Sequence, residues 1–220
     1  TERLVHAFTA IIIFAAGAVI FTLFLPDQYT LTEAHIVLLA QGMMHDGWLP
    51  IAKAYSGLHD SHFSAIPSLV YLMSKLPGME STVSARTAVM PAAAASGLTL
   101  AFTYLIGTLR ARQWGTMSVL FLLGIEAFFL HSRTLSLYPF TVAVTTLTLF
   151  VTIVFETEGI LLYIVLVPVL ILGFAVTGAI GLILPLLMSA IYLLWRRQWM
   201  KCICIVACGI ATLLVAEAIL

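Results

Sequence analysis

The chain reads as an all-α, polytopic membrane protein, and three observations predict that class. Apolar residues make up 62% of its 220 positions and charged residues only 9%, against roughly 25% charged in an average soluble domain. The mean hydropathy is +1.11. Nearly all of the charges fall between long apolar runs rather than within them. A water-soluble fold of this size could not hide so much apolar surface, so the solvent for most of it must be lipid.

The runs can be taken in order. A bilayer needs about 20 apolar residues per helical crossing. Residues 7–25 form the first such stretch, too long and too poorly followed by a cleavage signal to be a signal peptide. Residues 87–109 form the second, closed by Arg110 and Arg112, and 113–130 the third, interrupted by Glu126. Residues 135–155 make the fourth, closed by Glu156 and Glu158. Residues 159–195 carry no charge and exceed one crossing, so the break at Thr177-Gly178 divides them into a fifth and a sixth. Residues 201–220 would be the last of about seven crossings. The chain starts at Thr1 and ends inside an apolar run, as expected of a core module within a longer protein.

Charge placement orients this layout. Arg3, Arg110, Arg112, Arg196, Arg197 and Lys201 fall on one side, and Lys53, Lys75, Arg86 and Arg133 on the other. Basic residues in short loops favour the cytoplasm, so the N-terminus is expected there, with Trp114, Trp195 and Trp199 at the inner interface. Formal net charge is zero, which offers no basic field for a nucleic acid. Cys202, Cys204 and Cys208 share one apolar run and read as small hydrophobes. Cys202 and Cys204, two apart, point to different faces of a helix.

The loop at about 27–86 then lies outside the cytoplasm. Two short helices are predicted in it, 31–44, capped by Thr30 or Thr32, and 66–76, ending before Pro77-Gly78. Each is too short to cross, so each is expected to lie along the outer surface.

The order of elements and several short motifs resemble the membrane-embedded GT-C glycosyltransferases, in particular protein O-mannosyltransferases and lipid A aminoarabinose transferases. The carrying residues are Thr32-Glu33 and Gly47-Trp48-Leu49-Pro50 after the first run, and Phe63-Ser64-Ala65-Ile66-Pro67 before the second loop helix. Gly78, Ala85-Arg86, Arg133 and Val176-Thr177-Gly178 follow in register. The likeness covers nearly the whole chain. The departures are Thr32 for the leading acidic residue, Ser64-Ala65 for an acidic-Lys pair, Leu137-Tyr138 at an acidic slot, and no Lys before Gly178.

The resemblance implies a GT-C-like core across 1–220 in a bacterial inner membrane. Its activity would be sugar transfer from a polyprenyl-phosphate donor to an acceptor at the outer face. That chemistry needs a carboxylate to accept the hydroxyl proton and cations or a divalent metal to hold the phosphate leaving group. Glu33 and Asp60 are the catalytic candidates. A Glu in a first helical turn is also favoured by the dipole alone, and Asp60 also reads as a loop carboxylate. Arg86, Arg133 and Lys53 are the phosphate-binding candidates, against snorkelling to the interface. Trp48 and Tyr138 are the candidate substrate contacts. His59 and His62 are the metal candidates, imidazole suiting zinc or manganese, against a solvated loop. Glu126 is expected to face a partner, with Arg133 seven residues on along the same helix face.

The absent charged positions leave a second expectation open, a catalytically degenerate scaffold subunit that binds other membrane proteins. A transporter would need repeats or paired broken helices, and no repeat is visible.

Overall fold

The computed structural model describes residues 2–23, 31–46, 65–75 and 83–219. Helices and their turns account for these residues, with no strand among them. The chain divides into two compact units, Thr1–Pro139 and Phe140–Leu220.

The first unit holds α1 (Glu2–Leu23), α2 (Leu31–Asp46), α3 (Ile66–Ser74), α4 (Ala85–Thr108), α5 (Arg112–Leu123) and α6 (Glu126–His131). Its centre is the pairing of α1 with α4. Gly17 of α1 faces Gly97 and Leu100, and a Cβ added to Gly97 would lie 2.7 Å from the Phe14 carbonyl oxygen. His6 meets the Tyr104 hydroxyl at 3.4 Å. These contacts run in opposite directions along the two helices, so α1 and α4 are antiparallel. Small residues permit this approach, which dispersion rewards where lipid offers no hydrophobic drive between helices. Gly107 and Gly115 do the same for α4 and α5, a Cβ on Gly107 falling 2.6 Å from Gly115 Cα. Ser84 caps α4, its hydroxyl accepting the Thr87 N–H at 3.3 Å. Pro67 in the first turn of α3 sits where a missing N–H costs no intrahelical bond.

The second unit is built from most of α7 (Leu137–Val154), then α8 (Ile160–Thr177), α9 (Ile180–Trp195) and α10 (Trp199–Ile219). Val151, Leu162, Leu166, Leu170, Leu182, Leu193 and Ile205 form its core. α8 and α9 make a tight antiparallel hairpin. A Cβ on Gly173 would fall 2.5 Å from the Gly181 carbonyl. The turn between them needs φ +68° at Gly178, a conformation glycine reaches without strain.

Among the described residues, four stretches are long and apolar enough to cross a membrane, at Leu4–Leu23, Arg86–Thr108, Leu137–Val154 and Ile160–Thr177. Ile180–Trp195 and Trp199–Leu214 are shorter apolar helices. The break between α8 and α9 falls at Thr177-Gly178, as the sequence predicts, and α2 and α3 fall where the two loop helices are predicted.

The predicted third crossing differs. Instead of one helix over 113–130, α5 ends at Leu123, Gly124 closes it, and extended Ile125 (ψ 109°) starts α6. Glu126 therefore opens a helix rather than interrupting one, and its side chain is exposed. A carboxylate there meets the positive end of the helix dipole, worth about 0.3–1 kcal/mol. α6 ends at His131, so Glu126 and Arg133 do not share one helix.

Candidate functional site

Within the first unit, four predicted residues lie towards one edge. Because α1 and α4 are antiparallel, the end of α1 and the start of α4 lie together there. Phe21, near the end of α1, packs against Phe128 and Phe129 of α6 at ring separations of 5.9 and 5.8 Å. The turn after α6 therefore belongs to the same edge. Arg86, in the first turn of α4, is exposed at this end and makes no hydrogen bond or ion pair among the described residues.

Glu33 provides the link that sequence alone did not specify. It lies in the first turn of α2, is only 2% exposed, and accepts the Leu135 N–H on Oε1 at 2.8 Å. Leu135 is itself fully buried. A buried carboxylate must be hydrogen-bonded to be tolerated, and a charge-assisted bond to an amide is about twice as strong as a neutral one. The helix after α1 is thereby pegged to the turn between α6 and α7.

That turn is polar. Arg133, half-buried, precedes Leu135 by two positions and lays its guanidinium 4.7 Å from the centre of the Phe129 ring. Thr134 and Ser136 pair their hydroxyls at 3.2 Å. Tyr138, exposed at the start of α7, meets the His131 ring at 4.9 Å. The arrangement sets a buried carboxylate from α2 against a short turn that carries a guanidinium and hydroxyls, with aromatic rings on either side. A carboxylate offers about four lone-pair positions, and the Leu135 amide takes one of them. The sequence reading passed over Thr134 and Ser136, whose signal was the polar run His131–Ser136 between two apolar ones.

Lys53, Trp48, His59, Asp60 and His62 lie outside the described residues. Among the described residues, no group of three His, Cys, Asp or Glu side chains could hold a metal.

A second polar cluster, in the second unit, was not anticipated. Glu156, on the turn after α7, is buried. Its carboxylate accepts the Tyr192 hydroxyl at 2.8 Å, the Arg196 Nε–H at 3.0 Å and the Gln198 side-chain amide. Lys201 Nζ donates to the Glu156 backbone carbonyl. The bond to Glu156, and then its charge, push the Arg196 guanidinium above its ordinary pKa. This cluster ties the turn between α7 and α8 to the turn between α9 and α10.

No family model, curated protein or solved structure matches the chain.

Proposed function

We propose that the chain is the membrane core of a GT-C-like glycosyltransferase. It would move a sugar from a polyprenyl-phosphate donor to an acceptor hydroxyl at the outer face of a bacterial inner membrane, with its N-terminus in the cytoplasm. The single observation that supports this most is the bond between Glu33 and Leu135. It brings together a carboxylate and the Arg133 turn at one edge of the first unit, the two kinds of group that the transfer needs.

In that reaction the acceptor oxygen attacks the anomeric carbon, and its proton passes to the Glu33 carboxylate. The bond from that carbon to the phosphate oxygen breaks, and the charge left on the lipid phosphate is held by Arg133, with Arg86 at the same edge. Positioned cations stabilise such developing charge most where water is excluded. A divalent metal would serve the same leaving group, and the loop carrying His59 and His62 is where its ligands would be sought.

Glu33→Gln is the informative variant. The Gln amide oxygen can still accept the Leu135 N–H, while the carboxylate that would take the proton is lost. Transfer from polyprenyl-phosphate sugar in proteoliposomes should fall by a factor of about 10² or more, with expression and thermal stability near wild type. Unchanged transfer would remove Glu33 as the base.

One observation favours the degenerate scaffold instead. Glu33 is almost wholly buried and already bonded to a backbone amide, a structural role sufficient in itself. On that reading the wild-type chain transfers no sugar and co-purifies with other membrane proteins in fixed stoichiometry.

A further inference from the structure

The turn joining α9 to α10 ends its helix through a left-handed residue that is not glycine. α9 closes with a Schellman arrangement. The Gln198 N–H reaches the Leu193 carbonyl and the Arg197 N–H the Leu194 carbonyl, both at 2.9 Å. The residue in the left-handed position of that motif is usually glycine. Here it is Arg197, with φ 57°, the positive-φ residue other than glycine among those described. A left-handed non-glycine residue is strained, and such strain persists where something else holds it or uses it.

Neighbouring side chains indicate the use. Trp195 and Trp199 flank the turn and are 84% and 64% exposed, and Met200 is 77% exposed. Exposed tryptophans at the ends of two apolar helices mark the headgroup level of a bilayer. Arg196 and Lys201 are held by Glu156, yet Arg196 remains 59% exposed. The Arg197 side chain is exposed and has no hydrogen-bond or ion-pair partner among the described residues. The first turn of α10 adds the positive end of its dipole. Glu156 thus holds one side of the turn, while Arg197 and much of Arg196 are exposed beside the two tryptophans.

We infer that this turn binds an anionic phospholipid headgroup, with Arg197 as its principal contact and Trp195 and Trp199 setting its depth. The inference does not rest on the sugar-transfer reading. Charge complementarity selects the occupant, because the local excess is basic and the surrounding surface is apolar and aromatic.

The test uses the whole chain in nanodiscs of phosphatidylcholine, with and without phosphatidylglycerol, reading thermal stability and the phosphatidylglycerol retained on the protein. Wild type should gain stability with phosphatidylglycerol, and less so at high salt. Arg197→Gly should fold at least as stably in phosphatidylcholine, since glycine adopts this φ freely. Its affinity for phosphatidylglycerol should drop about five-fold, the equivalent of about 1 kcal/mol per basic residue at a charged surface. Arg197→Asn, uncharged and also tolerant of the left-handed region, should behave likewise, and Arg197→Lys should restore the response. A wild type indifferent to phosphatidylglycerol would overturn the inference. So would glycine and asparagine variants that keep the full response, or inorganic phosphate that stabilises the protein as well as the lipid does.

Discussion

Glu33 and Glu156 are two buried carboxylates with different partners, and the difference predicts how each tolerates change. Glu33 takes a backbone amide, which glutamine can still accept. Glu156 takes three side-chain donors, so its removal leaves several polar groups without their acceptor. Glu156→Ala should therefore destabilise the protein by about 1–3 kcal/mol, the cost of removing the shared acceptor of several part-buried donors, measured by reversible unfolding in bicelles. Arg196→Ala should cost less than Glu156→Ala, because the arginine is mostly exposed and exposed pairs are weak. Equal losses in the two variants would show that the ion pair, not the hub, carries the stability. Glu156 looked like an ordinary acidic span end in the sequence. Its partners come 36 to 45 positions later, and local patterning cannot reveal contacts at that separation.

Among elements, glycine decides which helices meet closely. A methyl group on Gly181 would overlap both the Thr177 hydroxyl and the Gly173 carbonyl. Gly181→Ala should cost about 1–3 kcal/mol, as overpacking does, and loosen the hairpin of α8 and α9. Gly42 in α2 has nothing within 4 Å of its would-be Cβ. Gly42→Ala should be neutral or stabilising by about 0.5–1 kcal/mol, through helix propensity alone. Thermal unfolding of the pair separates the two cases, and a Gly181→Ala variant as stable as wild type would remove the close approach as a constraint. Both glycines stand in apolar or helical surroundings in the sequence, and only the neighbouring helix distinguishes them. The division between α5 and α6 was half legible. Gly124 and Glu126 mark a weak point, but continuous hydrophobicity across it reads as a single crossing.

At the scale of the whole molecule, the proposed orientation sets which side of the membrane each edge of the first unit faces. In the first unit, α1 and α4 run antiparallel, so Arg86 and Arg133 sit at one edge while Arg110 and Arg112 sit at the other. Single cysteines replacing Arg86 and Arg112, in a chain with alanine at 202, 204 and 208, should label oppositely. An impermeant maleimide should reach position 86 in intact cells and position 112 only after permeabilisation. Labelling of 112 alone from outside would reverse the proposed orientation and, with it, the placement of the Glu33 edge on the donor side.

The sequence by itself determined the helical class, the lipid solvent, the hairpin break at Thr177-Gly178 and the two loop helices. These follow from local quantities, namely run length, hydropathy and the conformational demands of glycine and proline. Through a family resemblance it also offered Glu33, Arg133 and Tyr138 as site candidates. Only the tertiary structure decided that Glu33 is buried against Leu135, that Glu126 begins a helix, and that Glu156 gathers donors from a distant turn. A buried carboxylate is tolerated only with its hydrogen-bond partners in place, and those partners are set by which helices pack together rather than by which residues are neighbours in the chain.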